Sequence, residues 1–430
     1  MKIKDTKINY AVEPLIQPFG FKGGYLSELW QIVSKVSDGE NYGVGVGVQS
    51  VLWSDESIFK SSSQEQGNRY MYNLTEYALK LLKNTEFKTP TEAILSITDK
   101  VYEYGKRITN NPNLRKTFAL NSLVSVDNAL WQLYALENGT EDFIKLLDDE
   151  TVKNLSGRQD KIYSIPLMSY KTSLEEIQKA AEEGYFLMKI KIGSDPDGDN
   201  DLNKMVEWDK KRLEEIHNIV KDMKTPYTDD GHYVYYLDAN GRYDTKERLM
   251  DFFEYADKIG AYERIVILEE PFAEETYFDV SDIGLNITAD ESAHSLESAV
   301  NRMEQGYKAM AIKPIAKTVS ESLLIINEAA KHNVPCFCAD LTVNPLMVDI
   351  NKNIAARINP FPKIKIGIFE SNGAQNYKNW DLMKTYHPMY KSKFTEQKNA
   401  IYQLDDEFYK LSGGIFKDSE YYSEIVGKWK

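Results

Sequence analysis

From Ile162 onward the sequence repeats one unit, a short apolar run followed by an amphipathic stretch. The runs are IYSIPLMSY, FLMKIKIG, YVYYLDANG, RIVILEEPF, LNITADES, KAMAIKPIA, VPCFCADL and KIKIGIFES. Strands that alternate with helices predict parallel pairing, and eight such units predict a closed α/β barrel of the (β/α) TIM type. The stretch after YVYYLDANG supports this, because Leu249, Phe252, Phe253, Ala256 and Ile259 fall on one helical stripe. A doubly wound open sheet has the same alternation but no need of eight units.

The chain ahead of this repeat is of a different texture. INYAVEPL and NYGVGVGVQSVLW alternate like strands, and helical spacing follows near Arg69 to Leu82, Pro90 to Ile108 and Leu120 to Leu136. The expected organisation is an α+β unit over residues 1–150, a barrel over 160–375, and a segment 376–430 that returns to pack on the first unit. Residues 195–232 make one oversized connection, in which LNKMVEWDKKRLEEIHNIV is helical between the turn-rich DPDGDND and TPYTDDG. GVGVG at 43–47 lacks the G-x-G-x-x-G spacing and opens no helix, so it is no dinucleotide loop.

Composition excludes several classes. A net charge of -14 without a basic run argues against nucleic acid as a partner. No apolar stretch is long enough to span a membrane, and MKIKDTKINY holds no hydrophobic signal region. Two cysteines, Cys336 and Cys338, give no disulfide framework, and their spacing within a strand points to packing. These features predict a soluble, cytoplasmic protein; whether it forms a homo-oligomer is not legible in them.

The residues that end the strands carry the chemistry. Catalytic side chains of barrel enzymes sit at the carboxyl ends of strands. Here those positions hold Lys189 and Lys191, then Asp238, Glu269, Asp290, Lys313, Asp340 and Glu370. From Asp238 the steps are 31, 21, 23, 27 and 30 residues, each about one strand-helix unit. Lys189 and Lys191 share one face of a buried strand, where two ammonium groups repel and lose hydration unless acids face them. Asp238, Glu269 and Asp290 from adjacent strands make a hard, all-oxygen set suited to Mg²⁺. A carboxylate substrate fits beside such an ion, with Lys189 pairing to it. Lys191, next to another cation, is expected to have the depressed pKa that a lysine base needs.

In this order KIK, LDAN, LEEP, ADES, AIKP and FES resemble the enolase superfamily, in the branch of muconate lactonising enzyme and the dipeptide epimerases. The resemblance covers the whole chain. It implies an α+β capping domain on a modified barrel, and Mg²⁺ held by Asp238, Glu269 and Asp290, with Glu269 preferred to Glu270. It also implies that Lys191 and Lys313 are an acid/base pair on opposite faces of the substrate α-carbon, and that Lys189 binds the carboxylate. Loops of the cap, placed at Phe19 to Tyr25 and Val51 to Phe59, would set specificity. Asp340 stands where the mandelate racemase branch has a histidine, which speaks against histidine chemistry, and both Asp340 and Glu370 are read as substrate-side residues. The Gly-Gly loop that often follows the sixth-strand lysine is replaced by KPIAKTVSES. The implied reaction is abstraction of the proton α to a carboxylate, leading to racemisation or epimerisation. Dehydration of a sugar acid or hydroxy acid, or cycloisomerisation, would use the same metal site. A glycosidase built on Glu269 and Glu370 would leave the lysines unexplained.

Overall fold

A computed structural model describes residues 1–21 and 24–427, with side chains placed for all of these except 19–21 and 24. The specificity loop expected over Phe19 to Tyr25 therefore falls, apart from Tyr25, outside the described residues at the side-chain level. The chain opens with three antiparallel strands, β1 (Asp5–Phe21), β2 (Gly24–Ser37) and β3 (Tyr42–Gln49), paired in that order. Helices Gln64–Leu82, Pro90–Thr109 and Lys116–Glu137 cover one face, each somewhat longer than its periodicity predicted. The long β2 is a strand that the alternation had not marked. SVLW does not continue β3: Val51–Ser54 is a short helix, because Asp55 next caps a second one at Glu56–Ser61 through the amides of Ser57 and Ile58.

The GVGVG run is explained by close approach. A Cβ on Gly43 would lie 2.1 Å from the carbonyl oxygen of Ala129, and one on Gly45 2.1 Å from that of Ser125. The helix Lys116–Glu137 thus lies directly on the backbone of β3, and Asn128 Nδ2 donates to the Val46 carbonyl at 2.8 Å.

The barrel strands follow: β4 (Lys161–Ile165), β5 (Leu167–Met168), β6 (Leu187–Lys191), β7 (Val234–Asp238), β8 (Ile265–Glu269), β9 (Ile287–Ala289), β10 (Ala309–Ile312), β11 (Cys336–Cys338) and β12 (Gly367–Glu370). From β5 to β12 each pairs in parallel with the next, and β12 pairs in parallel with β4. Because only Pro166 separates β4 from β5, the sheet closes on itself through that residue, whose carbonyl accepts the Lys189 amide at 3.0 Å. The closure is a modified one. Below Pro166 the free edge of β4 pairs antiparallel with β14 (Ile401–Gln403), itself the partner of β13 (Gln397–Lys398). The Tyr163 hydroxyl spans the remaining gap, donating to the Leu187 carbonyl at 2.7 Å and accepting its amide at 3.2 Å.

Buried and half-buried polar ties seat the cap over the barrel mouth. Asp127 accepts the Ser320 amide at 3.0 Å and its hydroxyl at 2.6 Å, and Arg115 Nε donates to Glu274 at 2.9 Å. The chain then returns to the cap: Asn9 Nδ2 donates at 2.8 Å to the carbonyl of Ile425, in the last turn of the helix Glu420–Val426. The connection 195–232 carries the helix Leu202–Val220. Its Asp209 is fully buried and accepts the Gly193 amide on both oxygens, at 2.8 and 2.9 Å, and the Tyr243 hydroxyl at 2.8 Å. Among the described residues no helix is long and apolar enough to cross a membrane.

Candidate active site

Register places the first residues of the site. Across the parallel ladder Lys191 stands opposite Asp238, and Asp238 opposite Glu269. Parallel strands start their side chains level, so these three ends emerge at one height on the carboxyl rim. Asp290 and Lys313 follow the last residues of β9 and β10. Lys189, Lys191, Asp238, Glu269, Asp290, Lys313, Asp340 and Glu370 all line one cavity between barrel and cap.

The charges are interleaved. Lys189 Nζ lies 2.8 Å from Glu269, 3.0 Å from Glu370 and 3.0 Å from Asp238. Lys191 Nζ donates to Asp238 Oδ2 and to Asn240 Oδ1, each at 2.5 Å. Lys313 pairs with Asp290 Oδ2, and its ammonium lies 4.7 Å from the centre of the Trp53 ring. This arrangement answers how two lysines are tolerated on one buried face: acids of the next strands surround them. Burial opposes the charge on Lys189, yet Asp238, Glu269 and Glu370 hold its pKa well above the ordinary value. Burial likewise opposes the charge of Lys313, but Asp290 and Glu291 push its pKa up to about 12. Asp238 responds in the opposite sense; against burial, Lys189 and Lys191 hold it well below the carboxylate range. Glu269 is raised, first by burial and then by the charge of Asp238.

Glu269 and Glu270 part company at the backbone. Glu270 has φ of 40°, and its carboxylate turns to accept the amides of Asp290 at 2.6 Å and Ser292 at 3.0 Å. It braces the loop that carries Asp290, while Glu269 faces the cavity. One oxygen each of Glu269, Asp290 and Glu291 lie within 4.8 Å of one another, a group that can hold a cation. Asp340 and Glu370 are hooked together: the Asp340 amide donates to Glu370 at 3.0 Å, and Asp340 Oδ2 accepts the Asn372 amide at 2.7 Å. Burial lifts the Asp340 carboxyl to about 6.

Three contributors were not read from the sequence. Tyr236 is buried two residues before Asp238 on the same strand face, and its hydroxyl donates to the carboxylates of Glu269 and Glu370. The i, i+2 rule that linked Lys189 to Lys191 was the signal available for it. Lys317, one helical turn beyond Lys313, is 1% exposed and donates to Asp290 Oδ1 at 3.0 Å and to the Asp290 carbonyl at 2.7 Å. Glu291, the residue after Asp290, brings one oxygen within 4.8 Å of oxygens of Glu269 and Asp290.

No protein-family model matches the sequence, and the search of curated proteins finds no relative. Solved structures share its fold over nearly their whole length. A mandelate racemase/muconate lactonizing protein from Herpetosiphon aurantiacus matches with a TM-score of 0.63 at 16% identity, covering 94% of this chain and 96% of that one. The L-Ala-D/L-Glu epimerase from Bacillus subtilis, solved as a substrate-liganded complex, matches with a TM-score of 0.63 at 18% identity, covering 94% and 97%. A dipeptide epimerase from Enterococcus faecalis V583, complexed with Mg and the dipeptide L-Leu-L-Tyr, gives a TM-score of 0.63 at 15% identity, covering 88% and 92%. The capping domain and modified barrel expected from the motif order are thus the fold of this chain.

Proposed function

We propose that the protein is a Mg²⁺-dependent enzyme that abstracts the proton α to a substrate carboxylate and acts as a racemase or epimerase. The observation that carries this reading is the placement of Lys191 and Lys313. In the strand order, β6 and the end of β10 lie four positions apart in a ring of eight, on opposite sides of the mouth. The acids of the three intervening strands, Asp238, Glu269 and Asp290, stand between them. Those acids fit a hard divalent cation, being buried, all oxygen, and drawn from adjacent strand ends. The oxygens that converge within 4.8 Å of one another are those of Glu269, Asp290 and Glu291, so Glu291 would share an ion held by Glu269 and Asp290. A cation held there supplies a Lewis acid that takes up charge as the substrate carboxylate gains enolate character.

The lysines do the proton work. A substrate carboxylate directed toward Lys189 sets its α-carbon between Lys191 and Lys313. Lys313, kept protonated by Asp290 and Glu291, returns a proton to one face as Lys191 removes one from the other. In the reverse direction the roles exchange. The cap closes the mouth with Trp53, which limits water at the carbanion-like centre. Mg²⁺-dependent appearance of deuterium at the α-carbon in D₂O, followed by NMR across dipeptides, N-acyl amino acids and sugar acids, tests the reading. Deuterium with an intact skeleton and a scrambled stereocentre is the expected result. Loss of water instead would replace the epimerase with a dehydratase.

A further inference from the structure

The uncharged part of the cavity lining bears on what the rest of the substrate is made of. Leu26 and Leu29 of β2 and Trp53 line it from the cap, and Leu167 and Leu341 from the barrel, with Ser50, Asn240, Thr342 and Asn372 the neutral polar residues among them. Trp53 approaches within 4.7 Å of the Lys313 ammonium, so the apolar wall begins beside the reacting centre rather than at the entrance. Whatever branches from the α-carbon meets this wall directly.

Charge points the same way. Among the described residues lining the cavity the cations are Lys189, Lys191 and Lys313, and each contacts an acid. Asp340 and Glu370 add negative charge on the side of β11 and β12. One substrate carboxylate is compensated by Lys189 and the bound cation; a second would find only the neutral Ser50, Asn240, Thr342 and Asn372, or the acid Asp340, with no lining cation left to receive it.

We propose that the substrate is a monocarboxylate whose remainder is apolar and carries no second negative charge. The inference rests on the reading above only in placing the carboxylate at Lys189. Isothermal titration of the whole protein with Mg²⁺ present tests it without turnover, using straight-chain carboxylates from propanoate to hexanoate. Affinity should rise about fourfold for each added methylene, the gain for burying one such group. 4-Methylpentanoate should bind at least about thirty-fold more tightly than succinate, its near isostere with a second carboxylate. Leu29→Asp should flatten the series. If that variant fails to fold, the wild-type series decides alone. A flat series, succinate binding as tightly as 4-methylpentanoate, or no binding by any member would each overturn the proposal. A rising series with no deuterium entering any bound α-carbon would instead refute the proton-transfer reading and leave the substrate class standing.

Discussion

Asp209→Asn is the substitution whose outcome can be worked most fully from the structure. Asp209 belongs to the helix of the 195–232 connection, yet it holds the amide of Gly193, which has φ of 79° and lies two residues beyond Lys191. Burial lifts its carboxyl from 3.8 to about 7, against the hydrogen bonds from Gly193 and Tyr243 and the charge of Arg242. The sign follows from proton counting. Between these values the folded protein keeps the proton and the unfolded chain has lost it, so stability is highest below pH 4 for this group and falls as pH rises toward 7. At about 1.4 kcal/mol per unit, the loss between about pH 5 and pH 7.5 is on the order of 3 kcal/mol. Asparagine removes the titration while its oxygen still accepts the Gly193 amide and its amide group donates to the Tyr243 oxygen. Urea unfolding of both proteins should therefore show the variant gaining on the wild type by about that amount from pH 5 to pH 7.5. An offset that is the same at both pH values would refute the buried-proton account of Asp209.

Lys191→Ala and Lys313→Ala should each lower racemisation at least about a thousandfold, the usual scale for losing an acid/base group; full activity in either would end the two-base mechanism. Chelation of divalent cations should abolish α-deuterium exchange and Mg²⁺ should restore it, whereas exchange that persists in chelator would exclude the metal site. Lys317→Met strips Asp290 of a buried partner and should cost about 3–5 kcal/mol in unfolding free energy; a loss below about 1 kcal/mol would show that Lys313 alone suffices. Gly45→Ala forces β3 away from the helix Lys116–Glu137 and should destabilise by about 2 kcal/mol or more, measured by thermal unfolding; a neutral result would contradict the contact at Ser125.

The barrel and most of its site could be read from the sequence because both follow short-range rules. An apolar run that ends in an ionisable residue, repeated at one strand-helix interval, fixes which side chains reach the rim. What escaped depended on partners distant in sequence. In β2, Leu26, Leu29, Trp30, Val33 and Val36 recur at helical as much as strand spacing, and only its place between β1 and β3 makes them a strand buried on both faces. The glycines of β3 could be told from a nucleotide loop by spacing, but their purpose lies in a helix some eighty residues away. Lys317 sits on a four-residue helix too short to show a pattern, and its role depends on Asp290. Asp209 lies in a helix whose charged surface gave no hint that one of its acids is turned inward.

The seam at Pro166 has a consequence for synthesis on the ribosome. The strand that starts the barrel finds its lateral partners in residues 367–370 and 401–403, which leave the exit tunnel long after it. Until they emerge, β4 presents an unpaired edge and the half-built sheet has no ring to complete. The three-stranded cap sheet, by contrast, is assembled entirely from residues 5–49 and can form early. Nascent chains halted short of residue 400 should then carry an ordered cap and an open, chaperone-dependent barrel, with closure delayed until residues 401–403 have emerged.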